Sequence, residues 1–265
     1  VQAATSDGGS ATLDFGNDSV AQTYTVNGGT GPFVRLNSTA DASDSIVFNA
    51  AGGFYGLTIT SGFPAGTTLP ITNTNYFTTI GAGGWTQASG VFTAGANLAM
   101  TGTFNQSGGT FSGGAFSDSF RSFTVSGGSF TAASTTTFTN ALTTIDVPTS
   151  LTFENVTIQM NDSWGVTIAS GDTIVVTGTL TLNDGAVNTG TLNAQGNVVV
   201  ASTFDGGSSP LTFSGSAVQT FNLTGATGLY NGDITINKTG GEVDLLSALV
   251  MNAASQDLVI HAGTF

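Results

Sequence analysis

One phrase occurs twice in this chain. It reads Gln22-Thr23-Tyr24-Thr25-Val26-Asn27-Gly28-Gly29-Thr30-Gly31 near one end and Gln219-Thr220-Phe221-Asn222-Leu223-Thr224-Gly225-Ala226-Thr227-Gly228 near the other. Both copies follow Gln-Thr-aromatic-x-aliphatic-x-Gly-x-Thr-Gly without a gap. Each is preceded by a Leu-x-Phe step, Leu13-Asp14-Phe15 in one case and Leu211-Thr212-Phe213 in the other. A strand-and-turn phrase used twice points to a chain built by stacking related units, and stacking limits what it can fold into.

The residues between the copies support strands. Leu57-Thr58-Ile59-Thr60, Phe123-Thr124-Val125-Ser126, Val166-Thr167-Ile168-Ala169, Thr179-Leu180-Thr181-Leu182 and Ile234-Thr235-Ile236-Asn237 alternate apolar with hydroxyl or amide residues. That period of two marks a strand with one buried face. Turns separate the runs at Gly108-Gly109, Gly127-Gly128, Asp184-Gly185, Asp205-Gly206-Gly207 and Asn231-Gly232, where Gly, Asn and Asp tolerate positive φ. Strong helix formers are scarce: one Lys, two Arg and two Glu in 265 residues. Low charge alone would suggest disorder, but 39% apolar residues and a mean hydropathy of +0.22 are enough to bury a core.

An all-β fold follows, and two architectures fit it. A β-sandwich or jelly-roll accommodates many short strands. A parallel β-solenoid (β-helix) fits better, because few segments match as hairpin arms and like residues recur at coil spacing. Gly108-Gly109-Thr110-Phe111 and Gly127-Gly128-Ser129-Phe130 are one such pair. Coils of roughly 20 residues, stacked about 4.8 Å apart, give on the order of a dozen coils in a single elongated solenoid over residues 1–265. Phe104, Phe111, Phe123, Phe130 and Phe138 are expected to stack as an interior aromatic ladder.

The phrases Gly228-Leu229-Tyr230-Asn231-Gly232-Asp233-Ile234-Thr235-Ile236-Asn237-Lys238-Thr239-Gly240-Gly241 and Asp257-Leu258-Val259-Ile260-His261-Ala262-Gly263-Thr264-Phe265 resemble the Gly/Thr/Asn-rich β-strand repeats of large bacterial surface proteins. These are the filamentous-haemagglutinin-like adhesins and the autotransporter-passenger-like parallel β-helices. The resemblance is sharpest over 211–265 and its echo at 13–60. It implies a secreted β-helix in a surface structure, and it transfers no catalytic residue.

Charge narrows the partners. The net charge is −13, and Arg35, Arg121 and Lys238 are the only Lys or Arg residues. Three scattered cations cannot neutralise a nucleic-acid backbone or hold an anionic membrane surface. No apolar run reaches the roughly 20 residues of a membrane helix. Val1-Gln2-Ala3-Ala4 is compatible with a mature end after signal cleavage. With no cysteine, an extracellular chain must hold itself by backbone ladders and core packing.

No catalytic residue is expected. His261 is the single histidine, and no nucleophile elbow, Walker loop or metal-spaced His/Cys cluster occurs. The densest acid pairs, Asp14/Asp18, Asp41/Asp44 and Glu242/Asp244, read first as solvated corner residues. A glycosidase needs only two carboxylates across a cleft, so a polysaccharide-active enzyme stays as a third reading. No cofactor is expected; Asp14, Asp18, Asp41 and Asp44 are weak candidates for a structural Ca²⁺, since the same side chains serve equally to cap corners. Seven Asn-x-Ser/Thr sequons match what this composition gives by chance.

Function then rests on assembly. An open sheet edge invites a further strand, and identical solenoids docking head to tail propagate a filament. The expected assembly residues are Leu13 and Phe15 at one end and Val259, Ile260 and Phe265 at the other, with residues 1–16 as a docking or donor segment. The chain is therefore expected to be a structural subunit of an extracellular bacterial surface filament, partnered with itself. The alternative is an adhesin segment that binds surface glycans through Tyr76, Trp85 and Trp164, in the atypical stretches 61–87 and 146–165, although aromatic residues of a β-rich chain are more commonly buried in its core.

Overall fold

The computed structural model describes residues 10–14, 23–27, 33–37, 45–49, 52–59, 70–73 and 77–265, apart from 140–142, 161–163 and 224–229. Side chains are described from residue 80 onward, except at 81–83, 140–143, 161–163 and 224–229. The chain forms two compact units, Val1–Ser134 and Thr135–Phe265.

The first unit stacks two columns of strands, one of them interrupted within its longer strands by register shifts, as between Ile80 and Trp85 and between Phe120 and Ser122. One column holds β1 (Ser10–Asp14), β3 (Phe33–Asn37), β5 (Gly52–Ile59), β7 (Phe77–Gln87), β9 (Leu98–Gln106) and β11 (Ser117–Val125). The other holds β2 (Thr23–Asn27), β4 (Ser45–Asn49), β6 (Pro70–Asn73), β8 (Val91–Thr93), β10 (Thr110–Ser112) and β12 (Ser129–Thr131). Each strand pairs in parallel with the strand one coil away. Trp85, Phe104 and Phe123 follow at equal steps, whereas the step from Leu57 to Trp85 is longer.

The aromatic ladder is therefore two ladders. Phe104 stacks on Phe123 (5.1 Å, 9°) and on Trp85 (6.0 Å, 21°). Phe111 stacks on Phe130 (5.1 Å, 6°) and on Phe92 (5.3 Å, 24°). Rings meet edge to face between the columns, as Phe104 and Phe111 do at 5.2 Å. Such pairs add about 0.5–1.5 kcal/mol each beyond their buried area. Phe138 belongs to the second unit, where it packs edge-on to Phe153 at 5.9 Å.

Close stacking constrains the corners. Gly90, Gly109 and Gly128 share one corner with φ of 74°, 72° and 83°. A Cβ on Gly128 would stand 2.5 Å from the Gly109 carbonyl oxygen, and one on Gly109 the same distance from that of Gly90. Only glycine meets both demands. Gln87 and Gln106, also in register, seal this corner from inside. The Gln87 side-chain amide donates to the Gly90 carbonyl (3.2 Å) and to the Thr110 carbonyl one coil on (2.9 Å). Gln106 repeats this with Gly109 (3.4 Å) and Ser129 (3.1 Å).

The second unit stacks three columns. The first contains β13 (Thr135–Thr139), β16 (Asn155–Gln159), the start of β18 (Leu180–Ala194), β19 (Val198–Val200), β22 (Gln219–Asn222) and the end of β23 (Ile234–Leu245). The second contains β14 (Thr143–Asp146), the start of β17 (Gly165–Val176), the middle of β18 and β20 (Phe204–Gly206). The third contains β15 (Ser150–Phe153), the ends of β17 and β18, β21 (Leu211–Phe213), the start of β23 and β24 (Leu258–Thr264). All these pairings are parallel, so each unit is a parallel β-solenoid and the sandwich alternative is excluded.

The interior of this unit is mainly aliphatic. Val156, Ile158, Val166, Ile168, Ile174, Val176, Leu180 and Leu182 are each at most 1% exposed. Asparagine side chains tie coil to coil at the corners. The Thr179 N–H donates to Asn155 Oδ1 (2.9 Å), that of Ser208 to Asn188 (3.2 Å) and that of Thr220 to Asn197 (2.8 Å). The Asp257 N–H donates likewise to Asp233 Oδ1 (2.9 Å).

Candidate functional site

Among the described side chains, those of β24 are exposed along the whole strand, apolar ones included. The strand pairs in parallel with β23, setting Leu258 beside Ile234, Val259 beside Thr235 and Ile260 beside Ile236. Ile234 and Ile236 are fully buried, so Leu258 and Ile260 occupy interior positions of the coil. They are nevertheless 39% and 52% exposed, and Val259 is 36% exposed. Leu245 repeats the pattern: it pairs with fully buried Phe221 yet is itself exposed, as are Leu246 and Val250. An interior cross-section of the second unit thus faces solvent. Covering one such side chain completely contributes about 1.5–3 kcal/mol.

The backbone at this edge is equally unsatisfied. Among the described residues no strand pairs with the outer side of β24. Asp257 stands one coil on from Asp233, whose carboxylate accepts the Asp257 N–H. Asp257 is itself exposed. Glu242 and Asp244 flank buried Val243 on the exposed side of β23, and His261 is exposed on β24.

The other predicted residues are dispersed. Leu13 lies in β1, paired with Leu36 of β3, and its side chain is not among those described. Phe15 and Tyr76 lie outside the described residues, as do Asp18, Asp41 and Asp44. Asp14 ends β1 beside Asn37. Phe265 follows β24 and is half-buried, while Val259 and Ile260 sit together on the edge. Trp164 is 42% exposed.

Trp85 follows the commoner course for an aromatic residue in a β-rich chain: it lies in strand β7 (Phe77–Gln87) and is fully buried. Its ring lies against Phe92, Phe104 and Phe111, so it cannot meet a sugar. The stretch 146–165 likewise contains two strands, β15 and β16.

Two buried polar side chains escape the sequence patterns. Asp118 is 2% exposed; its Oδ1 accepts the Leu98 N–H at 3.1 Å, while Oδ2 has no partner. Burial drives its carboxyl up to about 7, against which the Leu98 N–H pulls only partly back. Lys238 is 3% exposed and points inward from β23. Its position in the alternation after Ile234 and Ile236 was the only available signal.

Comparison with family models, curated protein sequences and solved structures finds no match.

Proposed function

We propose that this chain is a structural subunit of an extracellular bacterial surface filament, assembling head to tail through β-edges. The observation that carries this reading is β24. A strand whose interior positions, Leu258 and Ile260, are exposed presents both an apolar surface and a row of free backbone groups. A solenoid coil from a second copy supplies both complements at once, because its first strand can continue the same parallel ladder. Residues 1–16, or β1 itself, are the segment we assign to that contact. The scarcity of Lys and Arg supports an extracellular setting, since it leaves few sites for trypsin-like proteases.

Sedimentation velocity across a concentration series, with negative-stain microscopy, tests the proposal. Polymers that disappear in Ile260→Lys are expected, since Ile260 is exposed and its replacement leaves the core intact. Uniform monomers at every concentration would sink it. Exposed Trp164 supports a second reading, an adhesin that stacks on surface glycans. A glycan array on which wild-type and Trp164→Ala proteins bind nothing removes that reading and leaves the first standing.

A further inference from the structure

Lys238 is the only Lys or Arg in residues 135–265, and it is folded inward. Gly263 of β24 covers its stem: a Cβ on Gly263 would lie 2.9 Å from Lys238 Cβ. Its amine donates to the Ala217 carbonyl at 2.8 Å and to Gln219 Oε1. Gln219 is fully buried, and its amide nitrogen donates to the carbonyls of Ala194 (2.9 Å) and Gly196 (2.6 Å). The carboxamide is therefore held at both ends.

Among the described residues no carboxylate pairs with this amine. Burial lowers it below the ordinary lysine range. Desolvation shifts a lysine toward its neutral amine, which is the nucleophilic form. The amine lies within hydrogen-bond reach of the Gln219 acyl group.

We propose that Lys238 and Gln219 become joined by an isopeptide bond after folding. The Lys238 Nζ lone pair adds to Gln219 Cδ, giving a tetrahedral adduct. A proton passes from Nζ to Nε2, the Cδ–Nε2 bond breaks, and ammonia leaves. One C–N bond forms, one breaks, and nothing is oxidised or reduced. The Ala194 and Gly196 carbonyls, already accepting from Nε2, favour the added proton that makes it a leaving group. Such an exchange is slow between free partners, but held contact corresponds to effective molarities of about 10⁵–10⁸ M in favourable cases. The product ties β22 to β23 in a chain that has no cysteine. This inference is independent of the filament assembly.

Intact-mass measurement of the folded 265-residue protein, followed by denaturation and tryptic digestion, tests it. A mass below that of the sequence by one ammonia is expected, with no cleavage after Lys238 and fragment spectra that join residues 219 and 238. Lys238→Met should restore the full mass. Gln219→Glu, which keeps the shape and gives the amine a counter-charge, should show its own full mass and normal cleavage at Lys238. Full wild-type mass with cleavage at Lys238, after prolonged incubation of folded protein at alkaline pH, overturns the bond. So does an ammonia loss that persists in Lys238→Met, which would belong to cyclisation at Asn231-Gly232.

Discussion

The described interior of the first unit is largely aromatic, and that of the second is mainly aliphatic. In the first, rings from different strands of the coil meet edge to face, as Phe104 and Phe111 do. In the second, Val, Ile and Leu fill most of the space. The corner chemistry differs too. In the first unit Gln87 and Gln106 bridge forward to the following coil. In the second, Gln219 and Gln256 bridge back: Gln256 reaches the carbonyls of Tyr230 (2.6 Å) and Gly232 (3.1 Å).

Phe104→Ala should break this comparison most sharply. Removing a fully buried ring at the crossing of both ladders is expected to cost about 3–5 kcal/mol in the first unit. Hydrogen exchange should show β9 and β11 deprotected while the amides of β18 hold. Loss of protection in both units alike would mean that they unfold as one.

Asp118 distinguishes the units by pH. Its folded-state pKa of about 7 lies above the ordinary 3.8, so the folded state holds the proton more tightly. The stability contribution is complete below about pH 4 and is lost as pH rises through about 7. Asp118→Asn should flatten that slope, with a gain on the order of 2–4 kcal/mol at pH 8. Urea titrations at pH 4, 6 and 8 provide the check; an unchanged slope in the variant would assign it elsewhere.

Gly207 probes the second unit. Its φ is 116°, and a Cβ there would lie 2.0 Å from the Val187 carbonyl oxygen. Gly207→Ala is expected to cost about 1–3 kcal/mol, read as a lowered Tm. The smallest effect is expected from Asn155→Ala. It removes one inter-coil bond to the Thr179 N–H, worth about 0.5–1.5 kcal/mol. A loss as large as that of Phe104→Ala would show that corner amides, not the interior, set stability.

Much of the fold was legible because strands announce themselves by alternation. All five alternating runs fall largely on strands, in β5, β11, β17, β18 and β23. The repeated phrase was legible as strand but not as place. Its first copy supplies β2, paired with β4 in the first unit, and its second supplies β22, lying between β19 and β23 in the second. Local pattern fixes which face is buried, while the strand it stacks on depends on contacts a full coil away. The same limit explains Trp85, since an indole bound for the interior and one bound for solvent have the same neighbours in sequence. Asp118 and Lys238 were hidden for a related reason: each occupies an inward position where alternation predicts an apolar residue.

The corner asparagines have a consequence for how the molecule is made. Each accepts an N–H from the coil that follows it, and the ladders likewise join each coil to the one before. A finished coil therefore offers a template on which the next coil can be laid, as a layer is added to a growing crystal. Growth of this kind needs only the segment just deposited, so it can keep pace with a chain delivered from one end.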